Sequence, residues 1–211
     1  MTTIYNQNRY MEKTINCNHK RESLERILEP LYVMTYTTSK DFNRPIGLHL
    51  RVRFTEKMNL SKFSACINRR YDKHGYTPAR VSVKEIDDDE GTHYHIAMII
   101  DGKYNTPLNL QQLCSKMKSN GFLANYKVIN HKDHPYGLVI SSEATRDIFF
   151  DWVSYLAKKI SKTEGKQCFS KCKAVQRDTS SWISNGKPNL SMPKDKPAEV
   201  TPSNTLWAFI S

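Results

Sequence analysis

The sequence predicts an α+β fold. The plan is a ferredoxin-like or RRM-like antiparallel sheet in the order β-α-β-β-α-β, with an extra C-terminal helix that bears a tyrosine. Three observations predict it. Residues 48–54, Leu-His-Leu-Arg-Val-Arg-Phe, alternate apolar and polar as a half-buried strand does. Two strand-like runs, about 80–86 and 92–100, flank the turn Asp87-Asp88-Asp89-Glu90-Gly91 and so predict a hairpin. Segments with helical spacing lie on either side of that hairpin and separate it from the outer strands.

Residues 1–20 show no periodic pattern and read as frayed. From Arg21, Leu24, Ile27, Leu28 and Leu31 recur at helical spacing, and Pro30 is expected to kink or end that helix. Residues 37–46 read as loop. The strand at 48–54 presents Leu48, Leu50, Val52 and Phe54 on one face and His49, Arg51 and Arg53 on the other. Asn59 and Gly75 suit the two caps of a helix whose stripe is Leu60, Phe63, Ser64 and Ile67. After the hairpin come a helix over about Leu108–Ser119, stopped by Asn120-Gly121, and a strand over about Phe122–Ile129. A short strand near Leu138–Ile140 and a last helix over about Glu143–Ile160 complete the pattern. Two helices should cover one sheet face, leaving the other for a ligand or for the last helix. Residues 1–45 read as an N-terminal extension with a helix, 46–165 as the main domain and 166–211 as a C-terminal extension, partly irregular. Its last part, about 175–211, carries Pro193, Pro197 and Pro202 and reads as an adaptable arm.

Among 211 residues, 32 Lys and Arg outnumber 21 Asp and Glu, for a formal net charge of +11. Such an excess attracts polyanions, nucleic acid first and an anionic membrane surface second. No apolar run approaches the ~20 residues of a membrane helix, and residues 1–13 are polar with no apolar core, so a secretory signal is not expected there. No membrane partner is expected, and the cytoplasm is the expected location. Five cysteines at irregular spacing read as reduced thiols. Cys168 and Cys172 have no nearby histidine, so a zinc site there is not expected. No phosphate-binding G-x-x-x-x-G-K-[ST] loop occurs, which excludes a recognisable ATPase.

His93-Tyr94-His95 falls inside the second strand of the hairpin. Residues two apart on a strand share a face, so both imidazoles project together, beside Ala97 and Ile99. Tyr94, Ile96, Met98 and Ile100 then point to the helix-covered face. A turn centred on Asp89 sets Glu85 directly opposite His93, at ~5 Å between Cβ atoms. Two imidazoles and a carboxylate make a divalent-metal site with open positions. A one-residue slip would turn Glu85 to the wrong face, with Asp87 as the fallback ligand. In the last helix, Phe149, Trp152, Val153, Leu156 and Ile160 form a core stripe, and Tyr155 borders it. Lys158 and Lys159 lie three and four residues on, a field expected to favour phenolate and to hold phosphate.

A histidine-hydrophobe-histidine triplet on a strand, followed by tyrosine-x-x-lysine on a helix, resembles the HUH endonuclease superfamily. The text Trp152-Val153-Ser154-Tyr155-Leu156-Ala157-Lys158 is similar to that of YagK/YfjJ-like prophage proteins and inovirus replication initiators. The likeness covers about residues 46–165. It implies a one-tyrosine rolling-circle replication initiator that nicks single-stranded DNA at an origin. His93, His95 and Glu85 would hold Mg²⁺ or Mn²⁺, which polarises the scissile phosphate. Tyr155 would attack phosphorus and keep the 5′-phosphate, while Lys158 or Lys159 positions that phosphate. His49, Arg51 and Arg53 would line the nucleic-acid face. The freed 3′-hydroxyl would prime a DNA polymerase, a separate helicase would open the duplex, and the site of action would be a bacterial host cell. Neighbouring Asp151 and Lys159 offer no second tyrosine, so closing a circle needs another subunit or another cycle.

Three other readings compete. The same sheet, with Tyr94, Tyr126 and its basic residues, suits a module that binds single-stranded nucleic acid by stacking and charge without cutting it. A relaxase or a transposase would share the triplet and the tyrosine. A zinc hydrolase fits the ligand types but lacks a helical H-E-x-x-H.

Overall fold

The computed structural model describes residues 4–5, 7–16, 23–87, 91–129, 131–134, 137–158, 168–172 and 175. Lys159, Ile160, Tyr136 and the arm beyond residue 175 lie outside them, as does the side chain of Asp87.

The N-terminal segment holds four two-residue strands: β1 (Ile4–Tyr5), β2 (Arg9–Tyr10), β3 (Lys13–Thr14) and β4 (Ser23–Leu24). β2 pairs with β3 and β1 with β4, each antiparallel. Residues 7–16 are thus not simply frayed, since Tyr10 and Ile15 are buried. Helix α1 (Glu25–Tyr36) continues past Pro30 instead of ending there. An interior proline costs about 3 kcal/mol. Burial of Ile27, Leu28, Leu31 and Met34, at about 2 kcal/mol each, outweighs it. A 3-10 turn, Thr38–Asp41, occupies part of the expected loop.

The main sheet follows: β5 (Pro45–Phe54), α2 (Leu60–Asp72), β6 (Ala79–Asp87), β7 (Gly91–Asp101), α3 (Pro107–Ser119), β8 (Leu123–Ile129), β9 (Leu138–Val139) and α4 (Glu143–Ser154). The predicted β-α-β-β-α-β order and the α+β, ferredoxin-like class are those observed. Strands lie in the order β6-β7-β5-β8, every pair antiparallel. Asn59 caps α2 as expected, its side chain accepting from the Lys62 backbone N–H at 2.9 Å. A further strand that no periodicity marks, β10 (Phe169–Lys171), extends the sheet along β6.

Two apolar layers form, one on each face. α2 and α3 pack Phe63, Ile67, Tyr71, Leu110 and Cys114 onto Leu48, Leu50, Val52, Ile96, Met98 and Ile100. On the opposite face α1 and α4 pack Leu28, Leu31, Phe149, Phe150 and Val153 onto Val81, Val83, Ala97 and Ile99. That face is covered by two helices rather than by α4 alone, and α1 comes from the N-terminal extension. Gly47 permits the close fit: a Cβ there would stand 2.5 Å from the Phe149 ring. The four described cysteines are free thiols. Among the described residues no helix is long and apolar enough to cross a membrane.

Candidate metal centre and tyrosine site

The hairpin register decides the site. β6 and β7 pair Asp87 with Gly91, Glu85 with His93 and Val83 with His95. The turn is therefore centred where the sequence suggested, and Glu85 stands on the histidines' face. Glu85 Oε2 lies 3.7 Å from His93 Nε2 and 3.4 Å from His95 Nε2. One ligand atom from each of the three residues falls within 4.8 Å of the others. Two donors, each about 2.1 Å from one ion, stand about 3.0–3.4 Å apart at octahedral to tetrahedral angles, a spacing that the Glu85–His95 contact meets and the Glu85–His93 contact exceeds by about 0.3 Å. All three residues are buried. An ion would relieve the cost of keeping the Glu85 carboxylate away from water.

Neighbouring strands complete the row. β5 pairs Arg51 with His95, and β8 pairs Lys127 with Arg51 and Asn125 with Arg53. Arg51, Arg53 and Lys127 therefore share the face of the triad. Arg53 and Lys127 are exposed and Arg51 is half-buried. Lys127 was missed from sequence, although the alternation that exposed Arg51 and Arg53 extends to it once β8 is paired with β5.

His49 lies elsewhere than expected. It is fully buried, so it does not line an open nucleic-acid face. Trp152 and Tyr155 of the α4 end cover it, with ring centroids 5.9 and 5.6 Å away. Its Nε2 sits 2.9 Å from His95 Nδ1, while its own Nδ1 has no hydrogen-bond partner. Burial, and then the neighbouring His95, push its pKa down to about 3, so it stays neutral at physiological pH.

Tyr155 also departs from the helical expectation. α4 stops at Ser154, and Tyr155 opens a 3-10 turn, Tyr155–Ala157. Ser154 Oγ donates to the Asp151 carbonyl at 2.7 Å and accepts the Asn16 backbone N–H at 2.7 Å. Lys158 then turns to an extended conformation and bridges to Ser23. The N-terminal segment thus ends the helix and sets the tyrosine. The Tyr155 hydroxyl lies 3.1 Å from His95 Nδ1 and 3.3 Å from its Nε2. Lys158 Nζ sits over the Tyr155 ring, 5.1 Å from its centroid, rather than at the oxygen. Burial, and then the Glu85 carboxylate, raise the Tyr155 pKa, against a smaller opposing effect of Arg51. Lys158 therefore does not bring its charge to the phenol oxygen as expected, and Lys159 lies outside the described residues.

Tyr94 and Tyr126, the aromatic pair of the stacking alternative, pack against the α2–α3 layer. They lie on the face away from the triad, and the Tyr94 ring sits tilted against Phe54, with centroids 5.1 Å apart. Compared with protein-family models, with curated proteins and with solved structures, the chain gives no match.

Proposed function

We propose that this protein cuts and rejoins single-stranded DNA by a metal-dependent transesterification at Tyr155, as an HUH-type initiator of rolling-circle replication. The observation that carries the reading is the Tyr155 hydroxyl 3.1–3.3 Å from both ring nitrogens of His95, itself part of the Glu85–His93–His95 group. A nucleophile and a cation site thus share one small volume.

The chain's own residues then divide the work. Arg51, Arg53 and Lys127 hold phosphates of the strand on the open part of the sheet face. Tyr155 Oη attacks the scissile phosphorus, and the bond from phosphorus to the 3′-oxygen breaks. The proton lost by the phenol is matched by one gained at the 3′-oxygen. One phosphodiester replaces another, so the bond energy is kept and a later 3′-hydroxyl can reverse the step. Lys158 steadies the ring; Lys159, outside the described residues, remains a second candidate. When bound, the ion supplies Lewis-acid polarisation of the phosphate, and Mg²⁺ or Mn²⁺ is proposed because phosphate oxygens suit them. A separate helicase and polymerase would complete replication in the cytoplasm of a bacterial host.

The test is a denaturing gel of the full-length protein with labelled single-stranded origin DNA and Mn²⁺. Label downstream of the nick should migrate with the protein, and upstream label should not. Tyr155→Phe should keep DNA affinity and lose both cleavage and adduct. A labelled Tyr155→Phe protein would move the nucleophile elsewhere. A wild-type protein that binds but never carries label would favour the non-cutting module.

A further inference from the structure

The buried pair His49–His95 calls for an explanation that neither packing nor DNA contact supplies. His49 is fully shielded, on the strand next to the triad, and carries an unpartnered ring nitrogen. A polar ring in an apolar slot is costly unless its hydrogen bond matters. His49 makes one, to His95 Nδ1 at 2.9 Å.

The two ends of His95 face different partners. Nε2 points at Glu85, 3.4 Å away, and Nδ1 at His49. A neutral imidazole has one lone pair and one N–H. For Nε2 to ligate an ion its lone pair must be free, so the proton must sit on Nδ1. That N–H then needs an acceptor, and a neutral His49 offers one at Nε2. Metal-bound histidines generally donate their second N–H to such a partner, which fixes both tautomer and ring orientation.

We infer that His49 is a positioning residue for the metal centre: its Nε2 accepts the His95 Nδ1–H and holds His95 in the tautomer that ligates through Nε2. The inference rests on the metal-site reading above. His49 carries its own proton on Nδ1, the atom without a partner, and the ion's hold on His95 must compensate that cost. The Trp152 ring packed against it keeps water out and leaves His95 as the acceptor's partner. The Tyr155 hydroxyl, 3.1 Å from the same Nδ1, is an alternative acceptor, and a test has to remove it.

The experiment is therefore done on full-length Tyr155→Phe protein, with Mn²⁺ affinity measured by titration calorimetry. His49→Leu keeps volume and removes the acceptor; it should weaken Mn²⁺ binding by about tenfold to a hundredfold. His49→Gln places an amide oxygen near the former Nε2 and should restore most of that loss. Equal affinity in all three proteins, or a His49→Gln as weak as His49→Leu, overturns the inference and leaves the metal site standing. Absence of Mn²⁺ binding to the parent protein overturns both. If His49→Leu does not fold, the parent protein decides alone. Long-range ¹H–¹⁵N spectra of its Zn²⁺-loaded form should show His95 protonated at Nδ1 and His49 unprotonated at Nε2. A proton on His49 Nε2 overturns the assignment.

Discussion

A histidine on a strand gains its chemistry from what stands opposite and above it. His93 faces Glu85 across the hairpin, and His95 has Tyr155 above one edge of its ring and His49 behind it. The first relation was legible, because a symmetric acidic turn fixes the register by counting. The role of His49 was not: alternation assigns a residue to a face but does not say what covers that face. Glu85→Gln tests the ligand set at this scale, since it keeps shape and removes charge. Mn²⁺ affinity should fall at least about tenfold, because a neutral amide replaces a charged ligand. Unchanged affinity would remove Glu85 from the site. Arg53→Ala and Lys127→Ala, one at a time, should each weaken single-stranded DNA binding and reduce its salt slope by about 1. The nicked bond should not move, because phosphate contacts position the strand without reading it. A shifted nick at unchanged affinity would contradict that role.

At the scale of elements, the end of α4 is the feature that sequence periodicity misplaced. The apolar stripe continues through Leu156, and both Leu156 and Ala157 are buried, so the pattern gave no reason to stop at Ser154. The stop comes from groups remote in sequence: Asn16 donating to Ser154 Oγ, and Ser23 bridging Lys158. Lys13 adds an ion pair to Asp147 at 3.1 Å and a contact with Glu143, which ties the β2–β3 hairpin to the start of α4. The N-terminal segment thus holds the helix at both ends. Ser154→Ala removes both hydrogen bonds of the Ser154 hydroxyl, the one it donates to the Asp151 carbonyl and the one it accepts from the Asn16 N–H. It should lower the unfolding free energy by about 1–2 kcal/mol, read from a urea midpoint. Adduct yield should fall further than DNA affinity, since the tyrosine and not the basic face is displaced. Gly47→Ala acts on the other side of α4 by forcing the Phe149 ring away, at a cost of about 1–3 kcal/mol. An alanine variant with wild-type stability would mean that the α4 contact with β5 is loose.

Across the whole molecule, the strand order and one of the two apolar layers were legible, because β5, β7, α2 and α3 each carry a clean period. The other layer was only half legible. α4 announced itself, and the helical spacing of α1 was read but not its course past Pro30 or its place on the sheet, while β10 is three residues from a polar stretch whose partner strand no local pattern reveals. What joins the N-terminal layer to the sheet is Asp101, at the end of β7. Its carboxylate accepts the backbone N–H groups of Asn43 and Arg44 at 3.1 Å each and of Lys103 at 2.9 Å, and the Asn43 side chain at 3.2 Å. Burial alone would raise its pKa, but these four hydrogen bonds outweigh it and the pKa is lowered. The folded value therefore lies below the unfolded one, which for an aspartate is about 3.9. Stability from this group is fully present above that unfolded value and is lost as pH falls through the folded one. Asp101→Asn keeps the size but offers a single carbonyl acceptor and no charge. It should cost about 2 kcal/mol at neutral pH. Urea midpoints of both proteins at pH 7, 5, 4 and 3 give the difference directly, and the other carboxylates cancel from it. The gap should be constant from pH 7 to 5 and narrow below about 4 as wild-type Asp101 takes up its proton. A gap independent of pH down to 3 would show that the charge of Asp101 contributes nothing and that the junction is held by the neutral contacts alone.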